Sequence, residues 1–309
     1  MTFEGLELLK EYVEELRREF DLYLYRKIKS SEDSDIIERA VAGGKRLRPI
    51  LLLMVFKALN GKDLQRALDV AIALELAHNA SLAHDDIIDV DYMRRGKPTL
   101  WRQIGIGRAL IEGHRIINLA FRIALNEGIE IARIFLNTWD RTSNGVLLEL
   151  MNRDLPGKIL YMEIIRKKTA ALFEAAAECG AVIADAPSQV IQDIKRYGEK
   201  LGIVYQLADD YVDLIRGRFT LGSPILLYNK LEEKIRQIIL FIKLGKIPPL
   251  KRVLSSRINW NKDFLIGEIF KHIKESQEII DSMDFAEPHK TYLKKFPEYC
   301  VYSMINQTT

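Results

Sequence analysis

The sequence predicts an all-α fold, a bundle of many helices. Three observations predict it. Nine prolines and 18 glycines are few for 309 residues, which leaves room for long uninterrupted helices. Apolar residues recur at three- and four-residue spacing through most of the chain. No run shows the convincing alternation of a half-buried strand.

The elements follow in order. Phe3, Leu6, Leu9, Val13, Leu16 and Phe20 share one face of a first amphipathic helix. Residues 27–36 are polar and end it. A short helix runs from Asp35 to about Val41. Gly43-Gly44 stops it, since glycine adopts the left-handed conformation past a helix end. Pro49 suits the first turn of the next helix. Residues 50–60 (ILLLMVFKALN) are nearly all apolar, so that helix is buried. Another helix runs from about Asp63 to Val90, apolar until it meets a cluster of aspartates. Residues 92–101 break the pattern, and periodicity returns from about 106 to 153. Asp154-Leu155-Pro156-Gly157 reads as a turn. Helices over 158–184 and 188–214 are separated near Ala186-Pro187. Loops are expected at 216–224 and around Gly245–Pro249. No repeat or flexible linker interrupts the chain, so residues 1–309 read as one domain.

Composition narrows the function classes. With 48% hydrophobic and 29% charged residues, wholesale disorder is excluded. A net charge of +3 is too small to argue for nucleic acid. Cys179 and Cys300 make no disulfide framework, and a reduced cytoplasmic setting is the simplest expectation. Residues 1–25 carry charges throughout, unlike an export signal. No stretch reaches the roughly 18 apolar residues that span a bilayer.

The chemistry is concentrated in two triplets, Asp85-Asp86-Ile-Ile-Asp89 and Asp209-Asp210-Tyr-Val-Asp213. In a helix, positions i and i+4 stack one turn apart on one face. Asp85 therefore sits above Asp89, and Asp209 above Asp213, with Asp86 and Asp210 on the flanks. Each triplet ends an apolar run, so bare carboxylates are brought to the edge of a core, where they repel and resist desolvation. Mg²⁺ relieves both problems, and it takes one or two carboxylates together with substrate phosphate. A single triplet has a second reading as a solvated acidic turn; two copies at one spacing favour metal binding. Cations sit close by. Lys45, Arg46 and Arg48 precede or open a helix, where free N–H groups favour an anion. Arg94-Arg95 follows the first triplet, and Lys168-Thr169 lies on an alanine-rich helix. Taken singly, each of these reads as a surface ion-pair residue. Glu75-Leu-Ala-His78 has the Glu-x-x-His spacing of di-iron bundles but lacks the second copy such sites use. His78 then reads as a diphosphate donor or a core histidine.

Over residues 40–101 (GGKRLRP, then HNASLAHDDIIDVDYMRRGKPTLW) and 166–213 (RKKTAALF, then YQLADDYVD) the chain resembles the trans-isoprenyl diphosphate synthases, of geranylgeranyl or polyprenyl type. The resemblance implies an isoprenoid-synthase-type bundle of mostly antiparallel helices around a central cavity, usually dimeric. Helices near 50–60 and 107–125 are the expected interface. It implies a prenyltransferase that condenses isopentenyl diphosphate with an allylic diphosphate. Asp85, Asp86, Asp89, Asp209, Asp210 and Asp213 would hold Mg²⁺, three ions with substrate bound. Lys45, Arg48, His78 and Arg95 would hold isopentenyl diphosphate. Arg94, Lys168, Thr169 and Gln206 would hold the allylic diphosphate, with Asp85, Asp89, Asp209 and Lys168 closest to the reaction. The growing chain is expected to run down the helix before Asp85, past Ser81, Ala80, Ala77 and Leu74. Those residues are small near the top, so a product of C20 or longer is expected.

The chain departs from the family pattern at several places. Gly113-His114 stands where the family has Gly-Asp, and Gly145-Val146 where it has Gly-Gln. The family's lysine loop after the second triplet is shortened, with Arg218 at one lysine position, and the basic C-terminal residues are missing. These departures raise two other readings: a subunit that tunes an active homologue, and a terpene cyclase.

Overall fold

The computed structural model describes residues 3–29, 34–152, 158–216 and 250–305. The described helices are α1 (Phe3–Lys29), α2 (Ser34–Val41), α3 (Leu47–Ala58), α4 (Leu64–Ile88), α5 (Leu100–Ile104), α6 (Ile106–Asn126), α7 (Ile129–Met151), α8 (Lys158–Ile165), α9 (Ala171–Ile183), α10 (Ser188–Arg216), α11 (Leu250–Asp281) and α12 (His289–Ile305). The architecture is all-α, as the helical periodicity predicts. The expected turn at 154–157, the loop around Gly245–Pro249 and Arg218 lie outside the described residues, as does the loop at 216–224 beyond Arg216, which ends α10.

The core forms around α3. Ile50, Leu51, Leu52, Leu53 and Val55 are fully buried, each contributing roughly 1.5–3 kcal/mol by leaving water. The helix packs against α1, α4, α9 and α12. Residues 50–56 and Ala58 thus belong to the core of the chain itself. α4 starts at an Asp63 cap, whose carboxylate accepts from the Arg66 N–H at 3.0 Å. It packs against α3, α6 and α9 and carries its acidic end to the cavity. The single periodic stretch of 106–153 divides at Gly128, whose φ of 121° lies outside what a helix allows.

Two local features were not expected. Met93↔Pro98 and Arg94↔Lys97 pair as a two-residue antiparallel ladder, β1 (Met93–Arg94) and β2 (Lys97–Pro98). Two residues are too short for alternation to show. Arg95 (φ 51°) and Gly96 (φ 74°) make the turn, both left-handed as a tight hairpin requires. The second feature interrupts the helix read over 158–184. Arg166–Ala170 forms one π turn between α8 and α9, and such turns mark functional positions. α10 then packs closely on this turn. A Cβ on Gly202 would lie 2.5 Å from the Ala170 Cα, so only glycine admits the approach.

Candidate active site

One cavity of about 590 Å³ opens between α4, α7, α9, α10 and the loop that precedes α3. Asp85 and Asp89 reach it from α4 and its cap, and Asp209 reaches it from α10. The two acidic motifs therefore share one space. Burial pushes the Asp85 carboxyl up to about 6, with Asp89 and Glu149 adding to the rise and Lys168 opposing it. A carboxylate held in that state gains from a neighbouring cation.

The flanking acids, Asp86 and Asp210, are engaged by protein side chains. Asp86 is 3% exposed and accepts from Arg94 Nε at 2.6 Å. Asp210 is 2% exposed and accepts from the Tyr161 hydroxyl and from Gln206 Nε2 at 3.0 Å. Burial pushes Asp210 up to about 7, and Asp209 adds to the rise. Neither Asp86, Asp210 nor Asp213 lines the cavity. Asp86 instead fixes Arg94, whose guanidinium does line it, and Asp210 anchors a chain of hydrogen bonds. In that chain the Thr169 hydroxyl donates to Gln206 Oε1 at 2.7 Å, and Gln206 donates to Asp210. The π turn is thus tied to the second acidic motif.

The expected diphosphate-binding residues converge. Lys45, Arg48, His78, Arg94, Arg95, Lys168, Thr169 and Gln206 all line the cavity. Arg48 is buried, its guanidinium 4.5 Å from the Phe173 ring centroid and 5.9 Å from that of Tyr205. Burial lowers its pKa, partly offset by Tyr205 and Glu75. His78 is held well below the usual imidazole range by burial and then by Arg48, Arg95, Arg94 and Arg46, so the ring is neutral. Arg48 Nε and His78 Nδ1 are buried with no hydrogen-bond partner. Both residues line the cavity, while these two atoms lie beneath its surface. Lys168 Nζ lies 2.8 Å from Glu149 Oε2 and 3.8 Å from Asp85 Oδ1.

Sequence reasoning missed several residues. Glu149 on α7 holds Lys168 but reads as an ordinary surface acid; its stripe with Thr142 and Val146 at helical spacing was the available signal. Tyr161 and Tyr205 carry no signal in the sequence. Glu75, read as half of a metal spacing, lines the cavity and pairs with Arg46. The chain-length positions separate as well. Ser81 lines the cavity, while Ala80, Ala77 and Leu74 are buried in the core; Thr142, Val146 and Leu172 complete the wall. His114 is exposed on α6, its ring 5.1 Å from that of His84, and does not line the cavity.

The family model for polyprenyl synthetase matches residues 32–231. A short chain isoprenyl diphosphate synthase from Methanocaldococcus jannaschii is 34% identical over 253 residues, spanning 80% of this chain and 75% of that protein. A geranylgeranyl diphosphate synthase from Saccharolobus solfataricus is 36% identical over 234 residues, spanning 72% and 69%. The crystal structure of a geranylgeranyl pyrophosphate synthase superposes with a TM-score of 0.79 at 23% identity, covering 94% of this chain and 98% of that one; at that identity the likeness speaks for the fold. The fold is the all-α bundle of these structures. Within it, the chain belongs to the polyprenyl synthetase family.

Proposed function

We propose that this chain is a single prenyltransferase domain that elongates an allylic diphosphate with isopentenyl diphosphate, head to tail, to a product of C20 or longer. The observation that carries the reading is a cavity lined by acids of both motifs and by the cations Lys45, Arg48, Arg94, Arg95 and Lys168. Relatives named as isoprenyl and geranylgeranyl diphosphate synthases support it. They favour elongation over the tuning-subunit and cyclase readings.

The donor set fits Mg²⁺. Among the described residues, no three His, Cys, Asp or Glu side chains converge closely enough to cage an ion. Mg²⁺ needs only one or two carboxylates when substrate phosphate and water complete its shell. Asp85, Asp89 and Asp209 are the residues that would hold it, three ions once substrate is bound. When bound, Mg²⁺ neutralises charge on the departing diphosphate.

The chain's own residues supply the rest. Lys168, Arg94, Thr169 and Gln206 orient the allylic diphosphate so that its C–O bond breaks with the electron pair leaving on oxygen. Lys45, Arg48, Arg95 and neutral His78 hold isopentenyl diphosphate with its double bond toward the allylic carbon. The π electrons form the new C–C bond, and a proton leaves the adjacent carbon to the released diphosphate. Position and preorganised positive charge do the catalysis. Val146, Leu172 and Ser81 wall the prenyl chain from water.

Exposed Ile111 and Leu125 on α6, with Ile129, Leu136 and Leu147 on α7, give two adjacent helices an apolar outer face. It supports a homodimer through α6 and α7. No described helix is long and apolar enough to cross a membrane, in keeping with a cytoplasmic enzyme. The test is an assay of the purified chain with radiolabelled isopentenyl diphosphate, an allylic primer and Mg²⁺. Elongated diphosphates support the reading; a hydrocarbon or alcohol product, or no product, overturns it.

A further inference from the structure

The loop before α3 has an unusual backbone. Gly43 and Gly44 have φ of 74° and 102°, and Arg46 has φ of 55°. The glycines adopt such values freely, whereas a residue with a Cβ does so at a cost. A Cβ on Gly44 would also lie 2.9 Å from the Arg95 guanidinium, so Arg95 rests on bare backbone there. Something must hold Arg46 in its left-handed conformation.

The structure shows what does. Arg46 is 8% exposed, and each of its three guanidinium nitrogens is engaged. Nε donates to Asp21 on α1 at 3.1 Å, Nη1 donates to Glu75 on α4 at 2.7 Å, and Nη2 donates to the Val41 carbonyl. Glu75 is 3% exposed and also accepts from Asn79 Nδ2 at 3.0 Å. One side chain therefore ties the loop to α1, to the end of α2 and to the middle of α4.

Its position in the chain gives those ties a consequence. Arg46 follows Lys45 and lies two residues before Arg48, and both of these line the cavity. Its carbonyl also accepts from the Ile50 N–H at 2.9 Å, the bond that starts α3. Where Arg46 is fixed, Lys45 on one side and the first turn of α3 on the other are fixed as well. Glu75 has a second effect. It is a buried negative charge beneath Arg46, Arg48 and Arg95, and it offsets their mutual repulsion in the absence of an anion.

We infer that the buried Arg46–Glu75 pair is a positioning device for the isopentenyl diphosphate side of the site, acting through Lys45 and Arg48. The inference rests on the proposed function. Arg46 is a positioning residue here, since its nitrogens are already committed to protein partners.

The experiment compares KM for the two substrates in Glu75→Gln, Arg46→Gly and the double variant Arg46→Met/Glu75→Leu. Arg46→Gly relieves the backbone conformation while removing the guanidinium. The double variant removes both buried charges together, so it leaves neither one unpaired and keeps the test open if a single variant fails to fold. The expected result is a KM for isopentenyl diphosphate raised about ten- to a hundredfold by misplaced cations, with KM for the allylic primer changed by less than about twofold. Equal changes in both KM values, or a lowered melting temperature with unchanged KM for isopentenyl diphosphate, overturns the inference. An inactive wild-type chain overturns the functional reading instead, and calorimetric titration with isopentenyl diphosphate then decides the positioning role: weaker binding to the variants supports it, and equal binding overturns it.

Discussion

The Lys168 ammonium stands between two carboxylates on different helices, 2.8 Å from Glu149 and 3.8 Å from Asp85. It is drawn from a π turn, which places it one residue differently from an α-helical register. Glu149 is 5% exposed, so this is a sheltered charge-assisted bond. Glu149→Gln keeps the shape and removes the charge. The expected loss is about 1.5 kcal/mol of positioning, read as roughly tenfold in kcat/KM for the allylic primer. Steady-state kinetics checks it, and an unchanged value would mean that Lys168 is held by other means.

Gly145 tests the same relationship from the backbone. A Cβ there would lie 2.8 Å from the Lys168 amide nitrogen. Backbone cannot yield as a side-chain tip can. Gly145→Ala is expected to push the π turn away from α7 and lower turnover, with a fall in melting temperature. A variant with wild-type turnover and stability would contradict that packing.

Product length should respond to Ser81. Ser81 lines the cavity one turn before Asp85, while Ala80 is buried in the core. Ser81→Phe is expected to shorten the product by filling the channel. Ala80→Phe is expected to act chiefly through overpacking, at about 1–3 kcal/mol of stability. Chromatography of the labelled products separates the two outcomes.

The metal dependence should itself depend on pH. The Asp85 carboxyl sits at about 6, above its ordinary value, because burial disfavours the charge. It is protonated below that value, and Mg²⁺ requires the carboxylate. Affinity for Mg²⁺ with inorganic pyrophosphate is therefore expected to be full above about pH 7 and to fall as pH drops through 6. For the metal-free chain the sign is opposite. A raised folded pKa makes the protein lose stability as pH rises from about 4 to 6. Calorimetric titration and thermal melts at several pH values check both signs.

Much of the fold was legible because apolar spacing reports helices directly. The acidic end of α4 was legible for a second reason: an apolar run ending in carboxylates at i and i+4 has few structural uses. Which carboxylate faces the cavity was not legible. Asp85 and Asp86 differ by about 100° around the helix, and the choice is made by Arg94, which captures Asp86. Asp210 is likewise claimed by Tyr161, 49 residues away in sequence. The same angular ambiguity separates Ser81 from Ala80. The π turn was hidden because α9 after it is buried at nearly every position, which leaves no apolar stripe whose rotation could be read. Glu149 was hidden because its partner lies 19 residues on, across a turn that spacing rules do not bridge.

The central claim is that Asp85 and Asp209 act on one leaving group across a shared cavity. A double-mutant cycle on turnover tests it most directly, using Asp85→Asn, Asp209→Asn and the double variant with saturating Mg²⁺ and both substrates. Groups that serve the same diphosphate are coupled, so the double variant should lose little more than the worse single variant. Strictly multiplicative losses, or a single variant that elongates at the wild-type rate, would contradict the account.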